Sequence, residues 1–170
     1  MLTIFYATVC IGSIIMLTRL TRGPLFVPTE RRYIPHIINF LNLQAGEKVI
    51  DLGSGDGRLL IALARAGAEA HGFEHNPILV WRARRNIKIA GLKGKAFAHH
   101  GDFWKQDLSD FNAVVIYGIP YIMTRLEEKL RKELKPRARV VAHSFPFPTW
   151  QPIEKYKRVY LYKIGPTQSS

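Results

Sequence analysis

The chain has 170 residues, enough for one domain with a sizeable core and a short appendage. Its formal charge of +12, from 25 basic and 13 acidic residues, calls for an anionic neighbour, either nucleic acid or a membrane face. Cys10 is the sole cysteine, which excludes an internal disulfide and a cysteine-based zinc site, and no metal is expected.

In chain order, Leu2 to Thr18 carries no charge and is followed by Arg19, Arg22, Arg31 and Arg32. As a helix this run would measure about 26 Å, the lower edge of a membrane span. No positive charge precedes it and no small-residue cleavage site follows, so it does not read as a secretory signal. It is not Arg-rich from its start, as a mitochondrial presequence would be. Residues 1–20 are therefore expected to form a single transmembrane helix, with 21–32 a basic linker, 33–165 the folded domain and 166–170 a loose tail. The positive flank places the domain on the cytoplasmic side of the membrane, or the matrix side of a mitochondrion. The other reading of the apolar run is a buried helix packed on the domain.

Gly23-Pro24 and Pro28 break the chain, and Arg32 to Leu43 then carries Ile34, Ile37, Ile38 and Leu41 on one helical side. A strand ending at Asp51-Leu52 precedes helix Arg58 to Ala66, strand Glu69 to Phe73, and a helix opened by Pro77 and closed by Gly91. Further strands are expected at Lys95 to His100, Ala113 to Tyr117, Arg139 to His143 and Val159 to Ile164, with a helix at Ile122 to Leu134. Alternating strands and helices predict an α/β fold with a doubly wound, mostly parallel, Rossmann-like sheet.

The first strand runs into Gly53-Ser54-Gly55-Asp56-Gly57, and the second ends on Glu74 in Glu74-His75-Asn76, the layout of a nucleoside-binding βαβ unit. A dinucleotide fingerprint would place its third glycine at position 58, which is Arg. Asp51 and Asp56 put negative charge beside a helix N-terminus that would otherwise attract pyrophosphate. S-adenosyl-L-methionine (SAM) carries an ammonium, a sulfonium and a ribose diol, and suits this acidic turn better. Glu74 can accept both diol hydroxyls. The expected cofactor-binding set is Asp51, Gly53, Ser54, Gly55, Asp56, Gly57, Glu74, Asn76, Asp102, Phe103 and Tyr117. Asp102 would accept the adenine amino group, and Phe103 or Trp104 would cover the ring.

Tyr117-Gly118-Ile119-Pro120 ends the fourth strand, where ligands of open parallel sheets sit, and so flanks the transferred methyl. An Asn/Asp-Pro-Pro-Tyr/Phe signature is absent there, which argues against DNA-adenine methylation. Phe145-Pro146-Phe147-Pro148-Thr149-Trp150 follows the fifth strand; its three aromatics form either the wall of a channel for an alkylammonium or a hydrophobic lid on the core.

Several segments together resemble one family: Phe26-Val27-Pro28-Thr29, the Asp51 to Arg58 turn, Gly72-Phe73-Glu74-x-Asn76-Pro77 with Val80-Trp81, Asp102-Phe103-Trp104-Lys105, Leu126-Glu127-Glu128-Lys129-Leu130, and Arg139-Val140-Val141 leading to the Phe-Pro loop. They look like the small membrane-anchored protein-lysine methyltransferases that include the mitochondrial enzymes for the c-subunit of ATP synthase and the adenine nucleotide translocase. The resemblance spans roughly residues 24–152. It implies a class I methyltransferase acting on a lysine amine of a membrane-embedded protein. Relatives often carry Leu at position 103, and Arg where this chain has Ser144 after His143.

A lysine ammonium, with an ordinary pKa of about 10.4, must lose a proton before it attacks a methyl group. No motif names a base; Glu30, Tyr33, Tyr117 and His143 could each order the amine or a water, so Tyr117, His143 and Glu30 stand as catalytic candidates. Two basic clusters, Arg82, Arg84, Arg85 and Lys88, and Lys129 to Arg139, could face an anionic membrane surface. The rival functions are an RNA methyltransferase, suggested by the charge, and a non-catalytic SAM-binding membrane protein; nucleic acid is the less expected partner.

Overall fold

The computed structural model describes residues 28–165. The expected anchor at 1–20, most of the linker and the tail at 166–170 lie outside the described residues. Among the described residues no helix is long and apolar enough to cross a membrane.

A 3-10 turn at Arg31–Tyr33 leads into α1 (Ile34–Leu41), followed by β1 (Lys48–Leu52), α2 (Arg58–Arg65), β2 (Glu69–Glu74), α3 (Pro77–Ile89) and β3 (Ala96–His100). Then come a 3-10 turn at Phe103–Lys105, β4 (Ala113–Tyr117), a 3-10 turn at Pro120–Ile122, α4 (Met123–Glu133), β5 (Arg139–His143), β6 (Glu154–Tyr156) and β7 (Val159–Lys163). The sheet runs β3-β2-β1-β4-β5-β7-β6. Strands β1 to β5 are parallel, and β7 is antiparallel to both β5 and β6.

The parallel strands are apolar because both faces are covered. On one face Ile37, Leu41, Leu60, Leu63, Ala83 and Ile87 of α1, α2 and α3 pack on Val49, Val115 and Val141. On the other, Leu126 and Leu130 of α4 pack with Ile50, Leu52, Val114, Val140, Phe147, Trp150 and Tyr162.

The first helix is shorter than the expected Arg32 to Leu43. Pro35 sits in its first turn, and Asn42 adopts a left-handed conformation (φ 42°) whose N–H bonds back to Ile38 and Asn39, ending the helix. A seventh strand, β6, was not expected. It is three exposed residues with no apolar alternation, joined to β7 by the two-residue turn Lys157-Arg158, with Lys157 rather than glycine at φ 50°. Arg139 at the start of β5 donates to the carbonyls of Leu41 and Asn42 at 2.6 and 2.9 Å and pairs with Glu47. One side chain thereby locks the end of α1, the loop before β1 and β5 together.

Candidate functional site

The strand order reverses at β1, with β2 on one side and β4 on the other, so the crevice lies beyond the carboxyl ends of these strands. Register places Leu52 beside Phe73 and Ile116, Glu74 beside His100, and Tyr117 beside His143. The glycine turn, Glu74, the segment from His100 to Asp102, Tyr117 and His143 therefore line one edge of the sheet.

The turn after β1 is built from backbone bonds to β2. Gly53 and Ser54 N–H both donate to the Phe73 carbonyl at 2.9 and 3.2 Å, and Gly57 N–H donates to the Ser54 carbonyl at 3.0 Å. Gly53, Gly55 and Gly57 all have positive φ, and a Cβ on Gly57 would lie 2.9 Å from Ala83 Cβ. That glycine lets α2 and α3 approach. Gly53 faces open space, with nothing within 4 Å of a built Cβ.

Glu74 holds the turn from the other side. One of its carboxylate oxygens accepts from Gly55 N–H at 3.0 Å and the other from Asn76 N–H at 2.8 Å. Each oxygen keeps a second acceptor position. Asn76 Oδ1 caps α3 by accepting from Ile78 N–H at 2.9 Å. Asp51 is buried with no cation beside it among the described residues; burial first, then Glu74 and Asp56, push its carboxyl up to about 7. The buried Ser54 hydroxyl has no partner among the described residues.

Asp56 is not the free acid that the sequence suggested. Its carboxylate grips Arg58 through Nε at 3.0 Å and a terminal nitrogen at 2.8 Å. Burial pushes its pKa up, but the Arg58 bonds outweigh this and hold it below the usual carboxylate range. Arg58, which the sequence marks as the residue that interrupts a dinucleotide fingerprint, also reaches the Thr29 carbonyl at 3.4 Å. Asp102 lies beyond β3 and caps the following turn through Trp104 N–H at 3.0 Å. Phe103 and Trp104 are half-buried beside each other, ring centroids 4.9 Å apart, and Arg125 lies over Trp104 at 4.3 Å.

On the β4–β5 side three rings stand in a row. His143 is 4.7 Å from Tyr33 and 5.0 Å from Tyr117 by ring centroid. Only 2 % of His143 is exposed, and its Nδ1 has no partner among the described residues. Burial, with a smaller push from Arg158, lowers its pKa, against an opposing pull from Glu30. The imidazole is thus held neutral near pH 7. Glu30 itself is exposed and pairs with Arg32 at 2.6 Å, so it acts on His143 through its field rather than by contact.

The two lip loops touch through backbone. Gly118 N–H donates to the His143 carbonyl at 2.7 Å, and a Cβ on Gly118 would lie 2.9 Å from the Phe145 carbonyl. Ser144 takes φ 80° to turn the chain away. Of the three aromatics in the Phe-Pro loop, Phe147 and Trp150 are buried in the core and only Phe145 is exposed. The loop is therefore mainly the core lid, with Phe145 alone available to a channel. Buried Glu127 of α4 pins it, accepting from Thr149 Oγ1 at 2.6 Å, Thr149 N–H at 3.1 Å and Arg131 at 3.1 Å. No motif assigned these roles to Gly118, Glu127 or Thr149, because they arise from contacts between distant segments.

A parallel sheet that reverses at β1, an acid at the end of β2 holding a glycine turn, and an antiparallel strand inserted at the far edge define a Rossmann-like methyltransferase fold. A crystal structure described as an RNA methyltransferase from Salinibacter ruber, in complex with S-adenosyl-L-homocysteine, superposes with a TM-score of 0.79 at 32 % identity, covering 85 % of this chain and 97 % of that one. The chain belongs to the family described as the ANTKMT methyltransferase domain, whose match spans residues 51–154. It is 43 % identical over 127 residues to the human lysine N-methyltransferase named for the C-subunit of ATP synthase, covering 75 % of this chain and 54 % of that protein. It is 39 % identical over 153 residues to the mouse adenine nucleotide translocase lysine N-methyltransferase, covering 85 % and 66 %. A protein-lysine N-methyltransferase of Saccharolobus islandicus matches at 34 % over 150 residues, covering 82 % of this chain and 93 % of that protein. The chain thus spans about half the length of the human relative and nearly all of the archaeal one.

Proposed function

We propose that the protein is a SAM-dependent N-methyltransferase acting on a lysine side chain of a membrane-associated protein. The observation that carries the cofactor is the combination of Glu74 with the Asp51 carboxyl. Glu74 has both oxygens oriented by backbone N–H groups and one acceptor position left on each, as a ribose diol requires. Asp51 is a buried acid that lacks a cation and would gain one from the ligand. Gly53 leaves the backbone open to close approach. Gly55, Ser54, Asp56, Gly57 and Asn76 shape this pocket rather than contribute free charge. Asp102, Phe103 and Tyr117 would bound the adenine and methyl ends.

When bound, SAM would supply a sulfonium methyl to an amine nitrogen lined up opposite the sulfur, with the thioether as leaving group. What the chain contributes is positioning and dryness. Tyr117 and the neutral His143 form the acceptor lip, and the unprotonated nitrogen of a neutral imidazole there can accept a hydrogen bond from the incoming amine or a water and so orient it. Glu30 tunes that imidazole, and Phe145 offers an exposed aromatic face to the incoming alkylammonium. The lysine acceptor is supported by relatives named protein-lysine methyltransferases, one of nearly the same length as the match.

The uncharged run at 2–18, with basic residues after it, reads as a single-pass anchor with the domain on the cytoplasmic or matrix side. Tethering would present embedded substrates at high effective concentration. The description of the Salinibacter ruber neighbour and the charge of +12 favour RNA as the second reading. Transfer from methyl-labelled SAM into membrane fractions decides between them. Lysine-borne increments of about 14 Da per methyl, lost in Glu74→Ala, support the proposal; label that survives protease and is removed by ribonuclease overturns it.

A further inference from the structure

The sequence offers two basic clusters, and the structure separates their roles. In the second, Lys129 pairs with Glu133, Arg131 with Glu127, Arg139 with Glu47, and Lys135 donates to the Asp110 carbonyl. That cluster is largely engaged in holding the fold. In the first, only Arg84 is tied down, donating to the Ala98 carbonyl at 2.9 Å. Arg82, Arg85 and Lys88 are exposed and make no ion pair or hydrogen bond with any described residue, although Arg82 lies close enough to Asp56 to lower its pKa.

These cations share a helix face with three exposed large apolar side chains. Ile78, Trp81 and Ile89 of α3 are 58, 64 and 70 % exposed, while Val80, Ala83 and Ile87 attach the helix to the core. At about 100° per residue, Ile78, Trp81, Arg82, Arg85 and Ile89 fall within an arc of about 100°, with Lys88 at its flank. The helix contains no Asp or Glu. Trp81 stacks on no described ring or guanidinium. A solvated surface has no reason to present a tryptophan between two isoleucines along one stripe.

We propose that the outward face of α3 docks on an anionic lipid leaflet, with Ile78, Trp81 and Ile89 entering the headgroup region and Arg82, Arg85 and Lys88 meeting lipid phosphates. Mixed tryptophan, aliphatic and basic side chains with no acid match the chemistry of that interface. A polyanion such as RNA would meet the cations, but it has no use for isoleucines at both ends of the stripe. Ile78 and Ile89 lie about 16 Å apart along the axis, so both engage only when α3 lies in the plane of the surface. Asn76 and Glu74 directly precede the helix, so this orientation brings the β2 lip of the crevice to the lipid. The inference deepens the membrane reading above and rests on it for the choice of partner.

The test uses the full chain carrying Cys10→Ser, with an environment-sensitive fluorophore on Ile89→Cys, or on Lys132→Cys at the opposite sheet face as control. Vesicles of phosphatidylcholine alone are compared with vesicles containing about one-third phosphatidylglycerol. The probe at 89 should shift to the blue and be quenched by brominated acyl chains on anionic vesicles only, and the probe at 132 should not. The joint R82Q, R85Q and K88Q variant should abolish the response at 89 even if residues 1–27 keep the chain on the vesicles. Vesicle affinity that depends on this face should fall about fivefold per charge removed, and fall further with salt. Equal responses at 89 and 132, an unaltered response in the triple variant, or stronger protection by polyuridylate than by anionic vesicles overturns the proposal. SAM binding by calorimetry on the same samples keeps the two readings apart. Its absence in the parent chain defeats the methyltransferase assignment without touching the vesicle result.

Discussion

The two lips of the crevice are made in different ways. The lip from β1 and β2 is held by backbone bonds to Phe73, by the Glu74 carboxylate bridging Gly55 and Asn76, and by the Asp56–Arg58 ion pair, all between the short segments 51–58 and 73–76. The lip from β4 and β5 is held by backbone packed on backbone at Gly118 and Phe145, and by rings from residues 33, 117 and 143. The first is an acidic cradle whose buried Asp51 has no cation beside it among the described residues. The second is an aromatic, largely neutral wall. A cationic cofactor and a neutralised amine need those two environments in that order.

If this contrast is right, changes on one lip leave the other's function standing. The largest effect is expected at Asp51, whose folded pKa of about 7 lies above the ordinary aspartate value of 3.8. A carboxyl with a raised folded pKa contributes stability fully present below the unfolded pKa and lost as pH rises through the folded one. The cofactor-free protein should therefore lose on the order of 4 kcal/mol between pH 4 and 7 through this group. Asp51→Asn should remove that slope, making the apo fold more stable than the parent at pH 8. Urea unfolding of both proteins across this range checks it, and identical profiles would show that the acid is not held neutral.

Next, Glu74→Gln should weaken cofactor binding by about 3 kcal/mol, roughly a hundredfold, by removing charge from the diol acceptor. Calorimetry reads this directly. A fall in turnover at saturating cofactor, with affinity unchanged, would move Glu74 to the other lip. Gly118→Ala drives a Cβ to 2.9 Å from the Phe145 carbonyl, with an expected cost of about 2 kcal/mol in stability and a tenfold or greater loss of methyl transfer. Its cofactor affinity should stay within about twofold of the parent. Thr149→Val, the mildest, removes the 2.6 Å bond to Glu127 and should cost about 1.5 kcal/mol in chemical denaturation. It should raise the acceptor KM slightly and spare cofactor binding; a change in cofactor affinity would mean that the lips are coupled through α4.

The same contrast explains what the sequence disclosed. The turn formed by Asp51, the three glycines and Glu74 is legible because a tight turn and the acid that holds it are specified by short segments in a βαβ unit. The five parallel strands were found for a related reason, since each is a short apolar run bounded by turn residues. By contrast, β6 is three polar or exposed residues whose strand character comes only from pairing with β7. The pairing of Asp56 with Arg58 depends on the left-handed turn at Gly57, and the burial of Phe147 and Trp150 on Tyr162 and Glu127. Neither leaves a periodic or spacing signal. His143 could be named as a candidate, but its place between two tyrosines, with Nδ1 unpartnered among the described residues, exists only once the turn at Arg31–Tyr33 has docked.

That docking has a consequence for the order in which the chain acquires its structure. Arg139 ties down the end of α1 across a sequence separation of 98 residues. During synthesis from the N-terminus, α1 therefore leaves the ribosome among the first segments of the domain and waits for β5 before its end is fixed. Until then Ile37, Phe40 and Leu41 lack β5 and β7, the strands on which α1 chiefly packs. A stalled or truncated chain that ends before residue 139 would leave this amphipathic helix only partly covered, so quality control by chaperones or proteases should act on incomplete chains at α1.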